Sequence, residues 1–159
     1  MTVRIPLVLL LGALTLSAPR VAAVLQTADA SITYPIKPGA GKGKHIVFLA
    51  GDEEYRSEEA LPMLAKIVSQ RHGFKATVLF SVDPDGTINP KNGRSLSNPA
   101  ALDTADAVVM SLRFRAWPDE DMARFDALLR KGTPIVALRT STHAFNGLAK
   151  DGPWAAWNY

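Results

Sequence analysis

Cysteine is absent from this chain of 159 residues, and its absence excludes several classes of protein. No disulfide framework of the kind that holds small secreted domains together can form. No thiol is present to act as a catalytic nucleophile. Hydrophobic residues make up 47% of the sequence, so packing alone must stabilise a single globular domain of ordinary size.

The sequence also lacks the run of about 20 apolar residues that a membrane-spanning helix needs. The apolar run Ile5–Leu16 has only 12 residues. It follows Arg4 and precedes the small residues Val21–Ala23, in the order typical of a secretory signal peptide. We therefore expect residues 1–23 to be a cleaved signal peptide, with no stable membrane span afterwards and a periplasmic or extracellular protein. The alternative is a buried strand or helix at the N-terminus.

Without residues 1–23 the chain has almost no net charge. The full chain carries a formal net charge of +3, and removal of Arg4 and Arg20 leaves 16 basic against 15 acidic residues. No basic stripe interleaved with aromatic residues remains. We therefore expect no binding to nucleic acid.

Residues 24–44 are rich in glycine, proline and lysine and have no apolar periodicity, which indicates a flexible leader. The run Gly39–Lys44 has some of the composition of a phosphate-binding loop. In such a loop, however, Gly-Lys-Ser/Thr follows a strand and begins a helix. Here the glycines precede a predicted strand, and neither Lys42 nor Lys44 is followed by Ser or Thr. A phosphate-binding loop is therefore not expected.

Short apolar runs alternate with amphipathic stretches over the remainder of the chain. The runs predict four strands, at 45–50, 74–81, 107–112 and 134–138. The amphipathic stretches predict helices at 60–72 and 118–131, and turn residues fill the loop 82–98. Parallel strands need long connections, which helices supply, so the pattern predicts an α/β protein with a flavodoxin-like, doubly wound parallel sheet.

Polar clusters follow three of the predicted strands, at 51–57, 113–117 and 139–146. Because the carboxyl ends of parallel strands meet at one edge of a sheet, where ligands bind, we expect these clusters to lie together. His143 is the main candidate for chemistry, since an imidazole titrates near neutral pH and can take or give a proton. The alternative for His143 is a role in capping or in the core.

The charged residues of these clusters allow two interpretations. Asp52, Glu53 and Glu54 can act as general acids or bases, or they can pair with an arginine. Arg113 and Arg115 can correspondingly anchor a substrate or act as the partners of those acids. The sequence leaves both possibilities open.

The other two histidines and Ser141 are weaker candidates for catalysis than His143. His45 begins a predicted strand and His72 ends a predicted helix, so both are expected to be structural. Three scattered histidines do not form a metal site, and we expect neither a metal nor a cofactor. Ser141 lacks the flanking glycines of a nucleophile elbow, so a serine hydrolase is not indicated.

Three segments together resemble the ThuA-like (trehalose-utilisation) family: Gly51–Ala60, Leu112–Arg115 and Leu138–Phe145. The resemblance extends from about residue 45 to residue 146. It implies a class I glutamine amidotransferase-like fold and a role in the use of trehalose, related disaccharides or their 3-keto derivatives. Glutamine amidotransferases carry a cysteine on the turn where this chain has Arg139 and Thr140, so their thioester chemistry is excluded.

Resemblance and clusters together lead to one hypothesis for the site, with a small carbohydrate as substrate. The residues expected to exchange protons with it are His143, Asp52 and Glu53. The residues expected to hold it are Tyr55, Arg113, Arg139, Thr140 and Thr142.

A competing hypothesis is a non-catalytic carbohydrate-binding or interaction module with the same fold. Trp117, Trp154 and Trp157 are then candidates for platforms on which a sugar ring stacks. The alternative is ordinary core or edge packing, which we expect for Trp154 and Trp157. Four predicted strands are fewer than a flavodoxin-like sheet normally has. We therefore expect residues 45–159 to be the N-terminal part of a larger ThuA-like domain that is incomplete at its C-terminus.

Overall fold

Residues 30–159 form an α/β domain built on one sheet of five strands. The computed structural model describes residues 30–159, so the predicted signal peptide at 1–23 lies outside the described residues. The strands are β1 (Ile32–Tyr34), β2 (His45–Gly51), β3 (Lys75–Phe80), β4 (Ala107–Leu112) and β5 (Ile135–Ala137). Their order across the sheet is β1-β3-β2-β4-β5, and β1 alone runs antiparallel to its neighbour.

Two α-helices and three short 3₁₀ turns accompany the strands in this part of the chain, and two of the turns follow β5. The helices are α1 (Ser57–His72) and α2 (Asp119–Arg130), and the turns span Pro99–Thr104, Arg139–His143 and Ala155–Trp157. Helix α1 begins three residues before the predicted start, because the Ala60 N–H donates to the carbonyl of Arg56 at 3.2 Å and closes its first turn. Pro62 is accommodated inside the helix. No helix within residues 30–159 is long and apolar enough to cross a membrane.

The sheet is packed on both faces, which accounts for its long apolar strands. One core lies between the sheet and α1 and includes Phe48, Leu61, Val78 and Phe80. The other lies between the sheet and α2 and includes Val47, Leu79, Met122 and Phe125. Strand β2 contributes alternate residues to both cores, so all of its residues except the half-buried Ile46 are buried.

Trp117 belongs to the second core. Its side chain packs edge-on against Phe125 and Phe145, with ring centroids 5.9 and 5.2 Å away, and only 3% of the residue is exposed. The prediction that Trp117 offers a stacking platform for a sugar ring is therefore wrong. Its burial completes a hydrophobic core that also includes Trp157 as a partly buried neighbour.

The prediction of a flexible leader over 24–44 is wrong for much of the part that the structure describes. Strand β1 pairs with β3, with Thr33 opposite Thr77. The following loop packs on the end of α1, where the Gly41 N–H donates to the carbonyl of His72 at 2.6 Å. Glycine permits this approach, since a Cβ on Gly39 would lie 2.6 Å from the backbone of His72. The glycines thus serve close packing here rather than flexibility.

His45 joins three parts of the fold through its buried imidazole. Nδ1 lies 3.0 Å from the hydroxyl of Thr104, and Nε2 lies 2.9 Å from the hydroxyl of Thr77. Thr77 in turn lies 3.1 Å from the hydroxyl of Thr33 in β1. These contacts agree with the expected structural role of His45, while His72 is exposed at the end of α1.

Candidate functional site

The polar clusters that follow β2, β4 and β5 meet at the carboxyl edge of the sheet. Thr140 donates a hydrogen bond to the carboxylate of Asp52, joining the third cluster to the first. Arg113 pairs with Glu53 and joins the second cluster to the first. The Phe114 N–H donates to the carbonyl of His143 at 3.1 Å, which joins the second cluster to the third. The parallel sheet therefore places these distant segments in direct contact.

Asp52 organises the loop after β2. The residue is fully buried, and one carboxylate oxygen accepts hydrogen bonds from the N–H groups of Glu54 at 3.0 Å and Tyr55 at 3.3 Å. The other oxygen accepts the hydroxyl of Thr140. Its own N–H donates to the hydroxyl of Ser57 at 2.8 Å. With both oxygens bonded inside the protein, Asp52 positions the loop and the turn against each other.

Glu53 forms ion pairs with two arginines. One oxygen lies 2.5 Å from Nη1 of Arg113, and the other lies 3.2 Å from Nη2 of Arg115. Arg113 also pairs with Glu54 at 3.2 Å. The geometry thus matches the ion-pair interpretation for Glu53 and Glu54, which the sequence left open.

Arg115 is the buried centre of this network and was not among the predicted site residues. Only 3% of it is exposed, and it donates to the carbonyls of Arg113 at 2.6 Å and Pro90 at 2.9 Å and to the hydroxyl of Ser81 at 3.2 Å. Burial lowers the pKa of its guanidinium, and the nearby Glu53 opposes that effect. Arg115 therefore holds the loop after β3 against the ends of β3 and β4.

Tyr55 and Arg139 form a second, more exposed contact at the same edge. The guanidinium carbon of Arg139 lies 3.9 Å from the centroid of the Tyr55 ring, a cation–π arrangement. Both residues are exposed to solvent. They are thus available to a ligand, whereas Asp52 is not.

His143 lies between two aromatic rings. Its imidazole centroid is 5.1 Å from that of Phe114 and 5.2 Å from that of Tyr159. Nδ1 lies 3.2 Å from the hydroxyl of Thr142, and the residue is partly exposed. Neither Asp52 nor Glu53 contacts the imidazole within the part of the chain that the structure describes.

A pocket of about 400 Å³ opens beside His143. Its floor is apolar and formed by β4, β5 and α2, and its mouth carries Thr142, His143, Asn158 and Tyr159. Pockets of this size and composition are typical of small-molecule sites, which combine apolar walls with a few polar groups. Tyr159, which is 78% exposed, and Phe114 add aromatic surface that the sequence patterns did not predict.

Strained backbone conformations cluster around the same edge. Three of the non-glycine residues with positive φ are Arg56 at 52°, Phe114 at 53° and Arg139 at 51°, each in a loop or turn after β2, β4 or β5. Such conformations cost about 1–3 kcal/mol each and concentrate at functional sites. The strained backbone in all three loops is thus consistent with a functional site at this edge of the sheet.

The predicted site residues fall into two groups in the structure. Asp52, Glu53, Tyr55, Arg113, Arg139 and Thr140 lie around the loop after β2, whereas Thr142 and His143 lie at the mouth of the pocket. Phe114 links the groups, since the guanidinium carbon of Arg113 lies 4.6 Å from its ring and His143 packs on the same side chain. No cluster of three His, Asp or Glu residues suited to a metal occurs within residues 30–159.

The fold and site define an α/β protein with a histidine-bearing pocket at the carboxyl edge of a mostly parallel sheet. Comparison with models of known families, with curated proteins and with solved structures finds no match to this chain.

Proposed function

We propose that this chain is a ThuA-like protein that acts on a small carbohydrate, with His143 as the proton-transfer group. The observation that carries the proposal is the position of His143 at the mouth of a pocket of about 400 Å³, between two aromatic rings. An imidazole there can exchange a proton with a bound hydroxyl or with a carbon next to a keto group. The substrate class is a disaccharide such as trehalose or its 3-keto derivative.

The surroundings of His143 suit a sugar. Sugar rings present apolar C–H faces and hydroxyl edges, which match aromatic surface and hydroxyl donors respectively. Tyr159 and Phe114 supply the aromatic surface, and Thr142 supplies a hydroxyl next to the imidazole. Arg139 and Tyr55 supply further exposed hydrogen-bonding groups at the same edge of the sheet.

The acids take separate roles in this proposal. Asp52 is a positioning residue, because its two oxygens hold the loop after β2 and the turn after β5 in contact. Glu53 orients Arg113, whose guanidinium covers the Phe114 ring that packs against His143. Proton transfer by either acid requires that it first leave these partners.

The proposed fold class is flavodoxin-like. The parallel strands alone follow the order β3-β2-β4-β5, which is the order 2-1-3-4 when they are counted along the chain. This corresponds to the first four strands of the flavodoxin-like order. Helices α1 and α2 on opposite faces of the sheet support the same assignment.

A substrate screen with matched histidine variants tests the proposed reaction. Purified protein is mixed with trehalose, 3-keto-trehalose and related glycosides, and the disappearance of each is followed by chromatography. We expect turnover of at least one of them, and a loss of about 100-fold or more in His143→Ala, as is usual when a general acid or base is removed. His72→Ala, at an exposed position far along α1, is expected to retain full activity. Absence of all turnover, or equal activity in His143→Ala, contradicts the proposal.

One observation favours a second candidate, a carbohydrate-binding module without catalysis. Asp52 and Glu53 are both bonded to other side chains of the protein. Tyr159 is 78% exposed, so its ring is accessible for stacking on a sugar. Calorimetry with the same glycosides separates the two functions. Binding without turnover that survives His143→Ala and is lost in Tyr159→Ala supports the module.

Export is a further part of the proposal. The charge, apolar run and small residues at 1–23 are those of a signal peptide. Expression in a bacterial host followed by N-terminal sequencing of exported protein tests it. We expect the sequence to begin at Val24, and exported protein that begins at Met1 or Thr2 contradicts it.

A further inference from the structure

Asp121 carries a buried carboxylate that has no hydrogen-bond donor to offset the cost of its burial, among the residues described. Only 5% of the residue is exposed, and no group within residues 30–159 donates a hydrogen bond to its side chain. Burial and the like charge of Glu120 raise its pKa to about 6, and Arg124 opposes them. Buried carboxylates are normally paired, because an unpaired charge in an apolar environment is costly.

The helix terminus does not explain this burial. Asp121 is the third residue of α2, where an acid is favourable near the positive end of the helix dipole. Asp119 and Glu120 already provide that effect from exposed positions in the same turn. Asp121 gains no N–H donor from its position. A purely structural role therefore does not offset the free-energy cost of burying its carboxylate.

The side chain lines a pocket of about 320 Å³ between α2 and the loop after β3. Val82, Pro84, Leu96 and Pro118 form apolar walls. The loop adds Asp83, whose carboxylate accepts the side-chain amides of Asn89 at 2.8 Å and Asn92 at 3.0 Å. Arg94 is exposed at the rim. This pocket shares no lining residue with the one beside His143.

We propose that this pocket binds a small organic cation, with an ammonium group against the carboxylate of Asp121. Two acids and one arginine leave the lining with one unbalanced negative charge, which one ammonium group neutralises. Apolar walls suit the carbon skeleton that carries such a group. A metal ion is a poorer fit, since the lining offers only two carboxylates and no histidine, and residues 30–159 contain no group of three His, Asp or Glu suited to a metal. The site is independent of the reaction proposed for His143.

Calorimetric titration with cyclohexylammonium chloride, and with cyclohexanol as its uncharged counterpart, tests the site at pH 7.5. We expect saturable binding of the ammonium ion and none of the alcohol. Asp121→Asn keeps the shape of the side chain and removes its charge, so it should weaken binding at least tenfold. Asp119→Asn makes the same charge change at an exposed position in the same turn and should leave binding unchanged. Binding should also weaken at pH 5, where Asp121 is mostly protonated.

Three results overturn the proposal. They are the absence of saturable ammonium binding, equal binding of cyclohexanol, and an affinity that Asp121→Asn leaves unchanged. Circular dichroism of each variant verifies that the fold is intact, so a loss of binding reports on the site.

Discussion

At the scale of single residues, His45 carries a charge state set by its surroundings. Burial and the nearby Lys75 lower the pKa of its imidazole, against smaller opposing effects of Thr104 and Asp106. The unfolded chain therefore takes up a proton near pH 6.5 while the folded protein remains neutral there. The contribution of His45 to the free energy of unfolding is therefore fully present above pH 6.5. It declines as the pH falls from 6.5 towards the lower pKa of the folded state.

Replacement of His45 by Gln should flatten this pH dependence. Because the hydrogen bonds to Thr77 and Thr104 are altered, we also expect a loss of about 1–2 kcal/mol at pH 7. Urea unfolding at pH 7 and pH 5 measures both effects. His72→Gln, at an exposed position, serves as the control and should behave as the wild type. A slope between the two pH values that is unchanged in His45→Gln contradicts this account.

Asp121 should have the opposite influence on stability. Its raised pKa, about 6, means that the folded state holds its proton more tightly than the unfolded chain does. Stability therefore falls as the pH rises from about 4 to 6 and stays lower above that range. Asp121→Asn should raise the free energy of unfolding by about 1–2 kcal/mol at pH 8, a value reduced by water in the adjoining pocket. At pH 4 the gain should vanish, and a gain of equal size at both pH values would argue against it.

At the scale of elements, the contact between Thr140 and Asp52 ties the turn after β5 to the loop after β2. Thr140→Val removes the hydroxyl and leaves a buried carboxylate oxygen without its donor, which should cost about 1.5–3 kcal/mol. Thr142→Val is the matched control, because the Thr142 side chain is exposed and its hydroxyl has only His143 as a hydrogen-bond partner among residues 30–159. Thermal unfolding of both variants measures the difference, and equal melting temperatures would refute the role given to Asp52.

The segment between β1 and β2 offers a second test at this scale. Gly39→Ala forces a Cβ against the backbone of His72, so we expect a loss of at least about 1 kcal/mol. Proteolysis should also cut near β1 more readily in this variant. Ala40→Ser changes the adjacent exposed residue and should do neither. If Gly39→Ala is as resistant as the wild type, the segment is not packed as described.

The sequence predicted the long elements well and the short antiparallel strand not at all. Strand β4 agrees with its predicted range of 107–112, since a continuous apolar run between polar loops defines both ends. Strand β1 has only three residues, and its pairing with β3 depends on a partner more than 40 positions away. No local periodicity can reveal such a strand, and the surrounding glycines and prolines indicated a loop.

The candidate site was predictable in location but not in its internal pairings. The rule that strand ends meet at one edge placed the clusters of Asp52, Arg113 and His143 together. Which acid pairs with which arginine depends on side-chain geometry, so the burial of Arg115 could not be read from its neighbours in sequence. The contact of Tyr159 with His143 likewise joins positions that no pattern connects.

At the scale of the whole molecule, the two proposals of ligand binding rest on two separate pockets that both adjoin α2. One lies beside His143 at the end of β5, and the other lies beside Asp121 at the start of α2. The first pocket is the proposed carbohydrate site. If His143 touches a bound carbohydrate, its ring must report binding directly, whatever the subsequent chemistry.

The imidazole resonances of the protein provide that report. The chain has only three histidines, so the signal of His143 is assigned by its disappearance in His143→Ala. NMR titration with trehalose and then with 3-keto-trehalose should shift the His143 signal in a saturable manner and leave that of the distant His72 unchanged. If neither sugar shifts the His143 signal, or if both signals shift alike, His143 does not lie in a carbohydrate site.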